Sequence, residues 1–154
     1  MTSVWFRHND DMQPAVSDIL GGEEVLGGAA HSNLELAKAT RRGLPAEAVV
    51  RLALAFASTI QDDRLGLIAA ILMEHKEPGL GEVLSPSESD TVVRVASAVA
   101  RASEVLGNRH KAAQWLLTAN RALGGETPLS LLDTSIGLLE VETQLGRIEH
   151  GVYS

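Results

Sequence analysis

The chain has 154 residues, of which 45% are hydrophobic, 21% charged and only 3% aromatic, and its formal net charge is −7. This composition predicts a globular domain with a core of small aliphatic side chains and excludes a disordered or collagen-like chain. The absence of cysteine excludes disulfides and thiolate chemistry and is typical of intracellular proteins. The longest apolar run, Gly66–Met73, is far shorter than the roughly 18 residues that span a bilayer. We therefore expect a cytoplasmic protein without a membrane segment.

The N-terminal third is rich in turn-forming residues. Glycine pairs at Gly21 and Gly27 interrupt residues 1–33, which predicts a flexible arm over residues 1–43 with a first helix beginning near Leu34. Trp5 and Phe6 form an adjacent aromatic pair in this arm. They either pack on their own domain or anchor the arm on a partner.

Residues 44–90 have the pattern of a helix-turn-helix. Apolar residues at helical spacing predict one helix from Pro45 and a second from Asp62 that ends before Pro78. This segment has three basic and eight acidic residues, so it carries most of the negative charge. The expected recognition region, Met73–Glu82, holds three glutamates against one lysine. Such a surface repels a DNA duplex, which favours a structural role for the helix-turn-helix.

The C-terminal third has the clearest helix boundaries. Ser85, Pro86 and Glu88 form a capping-box pattern that predicts the start of a long helix ending at Gly107. Asn108 and Thr134 are suited to cap two further helices. The two long helices should bury apolar faces made of Val92, Val95, Val99, Ala102 and Leu106 in the first, and Leu138, Val141, Leu145, Ile148 and Val152 in the second. Because no segment has the pattern of a strand, the predicted fold is all-α.

No motif predicts catalysis. The Gly22–Gly28 segment lacks the lysine and hydroxyl residue of a phosphate-binding loop, and the five histidines are too scattered for a metal-binding helix. A serine-nucleophile motif is also absent from the sequence. We therefore expect neither an enzyme nor a cofactor or metal site.

The segment Trp115–Leu132 and its continuation Leu145–Tyr153 resemble the toxin-binding domain of Xre/MbcA/ParS-type antitoxins. The upstream Gly43-Leu44-Pro45 start resembles the degenerate Xre-like helix-turn-helix that usually precedes that domain. The resemblance implies a helix-turn-helix region over residues 44–90 and a toxin-binding domain over residues 91–154. Ala119 stands where the family commonly has proline, and the acidic Met73–Glu82 replaces a basic recognition helix.

The resemblance also implies a type II toxin–antitoxin system with this chain as the antitoxin. The partner would be a RES-type toxin, related to ADP-ribosyltransferases, that uses NAD and is neutralised by occlusion of its active site. Family antitoxins also assemble as homodimers within such complexes. The toxin-binding residues expected on this basis are Asn120, Arg121, Leu123, Gly124, Arg147, Glu149, His150, Gly151, Val152, Tyr153 and Ser154.

Two other classes of function stay open from the sequence. A DNA-binding repressor of its own operon would be consistent with a helix-turn-helix, although the acidic recognition region disfavours DNA as a partner. An interaction adaptor without any toxin is a third possibility, which the absence of a neighbouring toxin gene would favour.

Overall fold

The computed structural model describes residues 14–57 and 81–151, and these residues form helices and turns without a β-strand. The all-α prediction is therefore confirmed. The α-helices are α1 (14–19), α2 (Gly22–Leu26), α3 (Asn33–Arg42), α4 (Glu47–Ala57), α5 (Pro86–Leu106), α6 (Arg109–Leu116) and α7 (Ser135–Glu149), and three 3-10 helices span Gly27–Ala30, Arg121–Leu123 and Leu129–Asp133.

The described part of the predicted flexible arm is helical and packed. Ile19 of α1, Leu20 directly after it and Leu26 of α2 are buried in the core, which corrects the expectation of a loosely docked segment. Gly21 adopts φ +107° between the two helices, so it reverses the chain and folds their apolar residues inward. The composition of this segment did not indicate that the glycine separates two short packed helices. Residues 1–13, with Trp5 and Phe6, lie outside the described residues.

The first helix of the predicted helix-turn-helix is α4, which buries Leu52 and Phe56 completely. The predicted second helix and most of the Met73–Glu82 recognition region lie outside the described residues. The chain is described again at residue 81, where a short bridge pairs it with the start of α4. The Leu84 N–H donates to the Leu44 carbonyl at 2.8 Å.

Helix α5 lies at the centre of the described structure. It starts with the predicted capping box: the Ser85 hydroxyl accepts from the Glu88 N–H at 3.1 Å, and the Glu88 carboxylate accepts from the Ser85 N–H at 2.8 Å. It ends at Gly107, whose left-handed conformation is the predicted cap. Helices α3, α4, α6 and α7 all pack against α5. Residues on both sides of the predicted boundary at residue 90 therefore share one core.

Helix α7 approaches the preceding turn very closely. Thr134 caps it as predicted, since the threonine hydroxyl accepts from the Gly137 N–H at 3.0 Å. Val141 and Leu145 are fully buried, whereas Leu138 and Ile148 of the predicted apolar face are half-buried. None of the described helices is long and apolar enough to cross a membrane.

A substitution at Gly137 tests the close approach of α7 to the preceding turn. A Cβ added there would lie 1.6 Å from the carbonyl oxygen of Leu131, so either the turn or α7 must move. We expect Gly137→Ala to lower the free energy of unfolding by about 3 kcal/mol, at the upper end of the usual range for a point substitution. Gly146→Ala is the matched control in the same helix, because a Cβ there has no neighbour within 4 Å. It should instead raise stability by about 0.5–1 kcal/mol in urea denaturation. Equal effects of the two substitutions would contradict the described packing.

The capping box gives a second stability test. We expect Ser85→Ala to lower the free energy of unfolding by about 1 kcal/mol, because the Glu88 N–H loses its hydrogen-bond acceptor. Ser87→Ala, at an exposed position in the first turn of the same helix, should change the urea midpoint little. A control substitution as costly as Ser85→Ala would show that the cap contributes nothing specific.

Candidate functional site

The first cluster of predicted site residues forms a tight turn after α6. The Asn120 side-chain oxygen accepts from the Ala122 N–H at 2.9 Å, and the Asn120 carbonyl accepts from the Gly125 N–H at 2.9 Å. Gly124 and Gly125 have φ of +69° and +86°, so both adopt the left-handed conformation that glycine allows without strain. The Asn120 N–H donates to the Glu126 carbonyl at 3.0 Å and closes the turn.

The members of this turn have different roles in the structure. Leu123 is buried and Trp115 is half-buried against the core, so both hold the turn on the domain. Asn120 is half-buried and its side chain shapes the backbone, which differs from the exposed polar contact expected from the sequence. Arg121 is exposed. Arg121 is therefore the charged group that this turn offers to a partner.

The second predicted cluster lies at the C-terminal end of α7. Arg147 and His150 are exposed, and Gly151 turns the chain after the helix with φ +70°. Val152, Tyr153 and Ser154 lie outside the described residues. The end of α7 and the Asn120–Gly125 turn are the two described parts of the expected toxin-binding surface.

Glu149 is bound to the neighbouring helix. Its carboxylate accepts from the two terminal nitrogens of Arg101 in α5, at 2.5 and 3.3 Å. Only 12% of the Arg101 side chain is exposed, and its guanidinium also donates to Glu104 at 3.3 Å. Burial alone would lower the pKa of Arg101, but the hydrogen bonds and charges of Glu149 and Glu104 raise it above its ordinary value. The guanidinium therefore stays charged and joins the end of α7 to α5.

The sequence pattern did not indicate the ion pair between Arg101 and Glu149. Arg101 lies 48 residues before Glu149, so no local spacing indicates the pair. A second arginine of α5 has a similar role that the sequence also does not show: Arg94 donates to the Leu132 carbonyl at 2.9 Å and ties the 3-10 turn before α7 to α5. Both ends of α7 are thus held on the central helix by arginine side chains.

The outward face of α7 carries exposed apolar residues that the sequence pattern did not indicate. The side chains of Ile136 and Leu139 are 75% and 51% exposed. Glu140, Thr143 and Arg147 are exposed on the same helix. The sequence pattern assigned one apolar face to this helix, through Val141 and Leu145. Ile136 and Leu139 lie outside that pattern, so α7 is apolar on two sides near its start.

Within residues 14–57 and 81–151 no three histidine or acidic residues come close enough to hold a metal ion. A shallow cleft of about 260 Å³ lies between α2, α3 and the segment that precedes α4. None of the predicted site residues lines this cleft. In the described part of the chain, most of the expected site residues are exposed around α7 and the turn after α6, and a surface of this kind suits a macromolecular partner.

The C-terminal part of the chain is similar in sequence to known proteins. Residues 101–151 match the family model described as the antitoxin Xre/MbcA/ParS C-terminal toxin-binding domain. Proteins named Antitoxin Xre are 39% identical over 71 residues in Yersinia enterocolitica, 43% over 68 residues in Photorhabdus laumondii and 37% over 68 residues in Pseudomonas putida.

These alignments cover 44–46% of this chain and 43–48% of each relative. The chain thus spans a little under half the length of the curated relatives it matches. The matched segment includes the last six residues of α5, together with α6, the Asn120–Gly125 turn and α7. Residues 101–151 are therefore similar to the toxin-binding domain of Xre/MbcA/ParS-type antitoxins.

Proposed function

We propose that this chain is the antitoxin of a type II toxin–antitoxin system, and that it neutralises a RES-type, NAD-using toxin in the cytoplasm by binding it and occluding its active site. The observation that carries the proposal is the match of residues 101–151 to a toxin-binding domain, together with relatives named Antitoxin Xre. The RES-type partner follows from the resemblance of Trp115–Leu132 and Leu145–Tyr153 to that class of antitoxin. The chain itself makes and breaks no bond in this mechanism.

The end of α7 supports occlusion as the mechanism. Arg147 and His150 are exposed there, and the Arg101–Glu149 ion pair holds the preceding backbone on α5. A guanidinium can bind phosphate oxygens through two parallel N–H groups, so Arg147 suits a pocket that receives a dinucleotide. A group held at the mouth of that pocket excludes the substrate for as long as the complex lasts. Inhibition of this kind is stoichiometric.

The Asn120–Gly125 turn supplies the second part of the proposed contact. Its backbone is closed by hydrogen bonds, so Arg121 is presented from a turn that needs little further ordering on binding. A preordered contact loses less conformational entropy than a flexible one. We also propose that two antitoxin copies assemble in the complex, as antitoxins of this family generally do.

Occlusion is tested by separating binding from inhibition. We expect the chain co-expressed with the toxin of the adjacent gene to form a stable complex and to restore growth. A deletion of residues 152–154 combined with Arg147→Ala should retain the complex but no longer restore growth, because the groups proposed for the cleft are missing. The deletion starts after Gly151, so that Glu149 and its ion pair with Arg101 remain in the variant. Size-exclusion chromatography with light scattering measures the complex.

Arg41→Ala is the control, since Arg41 is an exposed arginine of α3 outside the matched segment. It should restore growth like the wild type. Full rescue by the truncated variant would overturn occlusion by the end of α7. Absence of any complex with the wild-type chain would overturn the antitoxin assignment as a whole.

The Arg101–Glu149 pair gives an independent test of how the end of α7 is positioned. We expect Arg101→Gln to lower the free energy of unfolding by about 1 kcal/mol, because the pair is partly exposed and a fully buried one would cost more. Amide hydrogen exchange at residues 146–150 should become faster than in the wild type, whereas exchange in α6 should not change.

Arg101→Lys keeps the charge but loses the two-pronged geometry, so it should recover only part of the protection. If the Arg101–Glu149 pair positions the end of α7, variants with faster amide exchange at residues 146–150 should also inhibit the toxin less. Unchanged exchange at residues 146–150 in Arg101→Gln would contradict a positioning role for this arginine.

A further inference from the structure

The matched toxin-binding segment has one exposed apolar patch. Among its described residues, 101–151, the large apolar side chains that are exposed are Ile136 and Leu139. They are three positions apart on α7, so they lie on neighbouring turns of the same face. We call this pair, with Glu140, Thr143 and Arg147, the outer face of α7.

The fold does not account for these two side chains. Helix α7 already packs on the core through Val141 and Leu145, which are fully buried. A β-branched residue such as Ile136 also disfavours a helix relative to lysine or glutamate at an exposed position. The exposure of Ile136 is thus explained neither by packing nor by helix propensity, and the exposure of Leu139 is not explained by packing. Adjacent exposed apolar residues at helical spacing are typical of a helix that docks in a partner's groove.

We propose that the toxin docks on the outer face of α7 in a helix-in-groove mode, with Ile136 and Leu139 as its apolar anchors, an inference that rests on the proposed antitoxin function. The toxin then carries an apolar groove that receives these two side chains. A basic group of the toxin faces Glu140 at the edge of the groove, and an acidic or phosphate-binding region faces Arg147. The occlusion proposed above is the polar end of this same contact.

The position of the outer face supports a toxin as the occupant, because the whole face lies within residues 101–151, which match a toxin-binding domain. The apolar anchors lie at the N-terminal end of α7, and the exposed Arg147 and His150 lie at its C-terminal end. A helix axis rises about 1.5 Å per residue, so Ile136 and His150 are about 21 Å apart along one helix. A partner that covers this length meets an anchoring end and a polar end in a fixed order, which sets the orientation of the contact.

A second copy of the chain fits this face less well. An antiparallel two-fold pairing that covers the whole length from Ile136 to His150 is centred on Thr143, and it would set Ile136 of each copy against His150 of the other. The apolar anchors would then face polar side chains. A shorter pairing centred between Gly137 and Leu138 would match the apolar residues but would leave Arg147 and His150 uncovered. Another exposed apolar pair, Val50 and Leu54 on α4, lies outside the matched segment and is available to a second copy.

Titration of the purified wild-type and variant chains against the purified toxin tests the proposal. We expect Ile136→Ser and Leu139→Ser each to weaken the affinity by about 30-fold, as expected for central apolar anchors of an interface. Leu34→Ser is the matched control, because Leu34 is 63% exposed on α3 outside the matched segment. Its affinity should equal that of the wild type. Thr143→Arg adds bulk at the middle of the outer face without removing an apolar residue, and it should also weaken binding.

The outcomes separate the inference from the function on which it rests. A wild-type complex with unchanged affinity in both serine variants and in Thr143→Arg would overturn the docking face and leave the antitoxin function standing. No binding by the wild-type chain would overturn the antitoxin function. If the serine variants abolish self-association in light scattering while toxin affinity stays at the wild-type value, the occupant is a second copy and the proposal is wrong. Circular dichroism and urea midpoints like those of Leu34→Ser show that the variants are folded.

Discussion

Burial of helix α5 is the constraint on which the rest of the structure depends. Its buried residues are alanine, valine and one serine, with no large side chain, so neighbouring helices can approach its backbone closely. The buried serine is Ser89, whose hydroxyl accepts from the Leu44 N–H at 2.8 Å and thereby joins α5 to the segment before α4. A buried hydroxyl without such a donor would be costly. The same helix therefore orders both the N-terminal and the C-terminal parts of the described structure.

Arginine side chains on α5 then determine where the candidate binding surface lies. Arg94 holds the turn before α7 through the Leu132 carbonyl, and Arg101 holds the end of α7 through Glu149. Between these contacts, Gly137 lets α7 pack directly on the Leu131 backbone. The outer face of α7 is thus fixed at both ends before a partner binds. A prearranged surface loses less conformational entropy on association, which supports the proposed stoichiometric inhibition.

Local signals predicted the helix ends well. Ser85 with Glu88, Asn108 and Thr134 cap the helices that follow them, and Gly107 ends α5, because each of these effects acts within four residues. The glycine content was a poor guide to the structure of residues 14–30. It suggested a loose arm, but these glycines turn the chain between packed helices. Glycine allows both a flexible linker and a tight reversal, and only the apolar residues around it decide between them.

The sequence by itself determined the all-α class, the capped helices of the C-terminal third and the family resemblance, because helix periodicity, caps and motif spacing are properties of neighbouring residues. Tertiary structure decided that the Glu149 carboxylate pairs with Arg101 and that Ile136 and Leu139 face the solvent. Each of these depends on which residues far apart in the chain come together. Helix α5 covers the inner face of α7 and so determines which face of α7 is exposed to water. Because α5 begins 50 residues before Ile136, local sequence patterns do not show this contact.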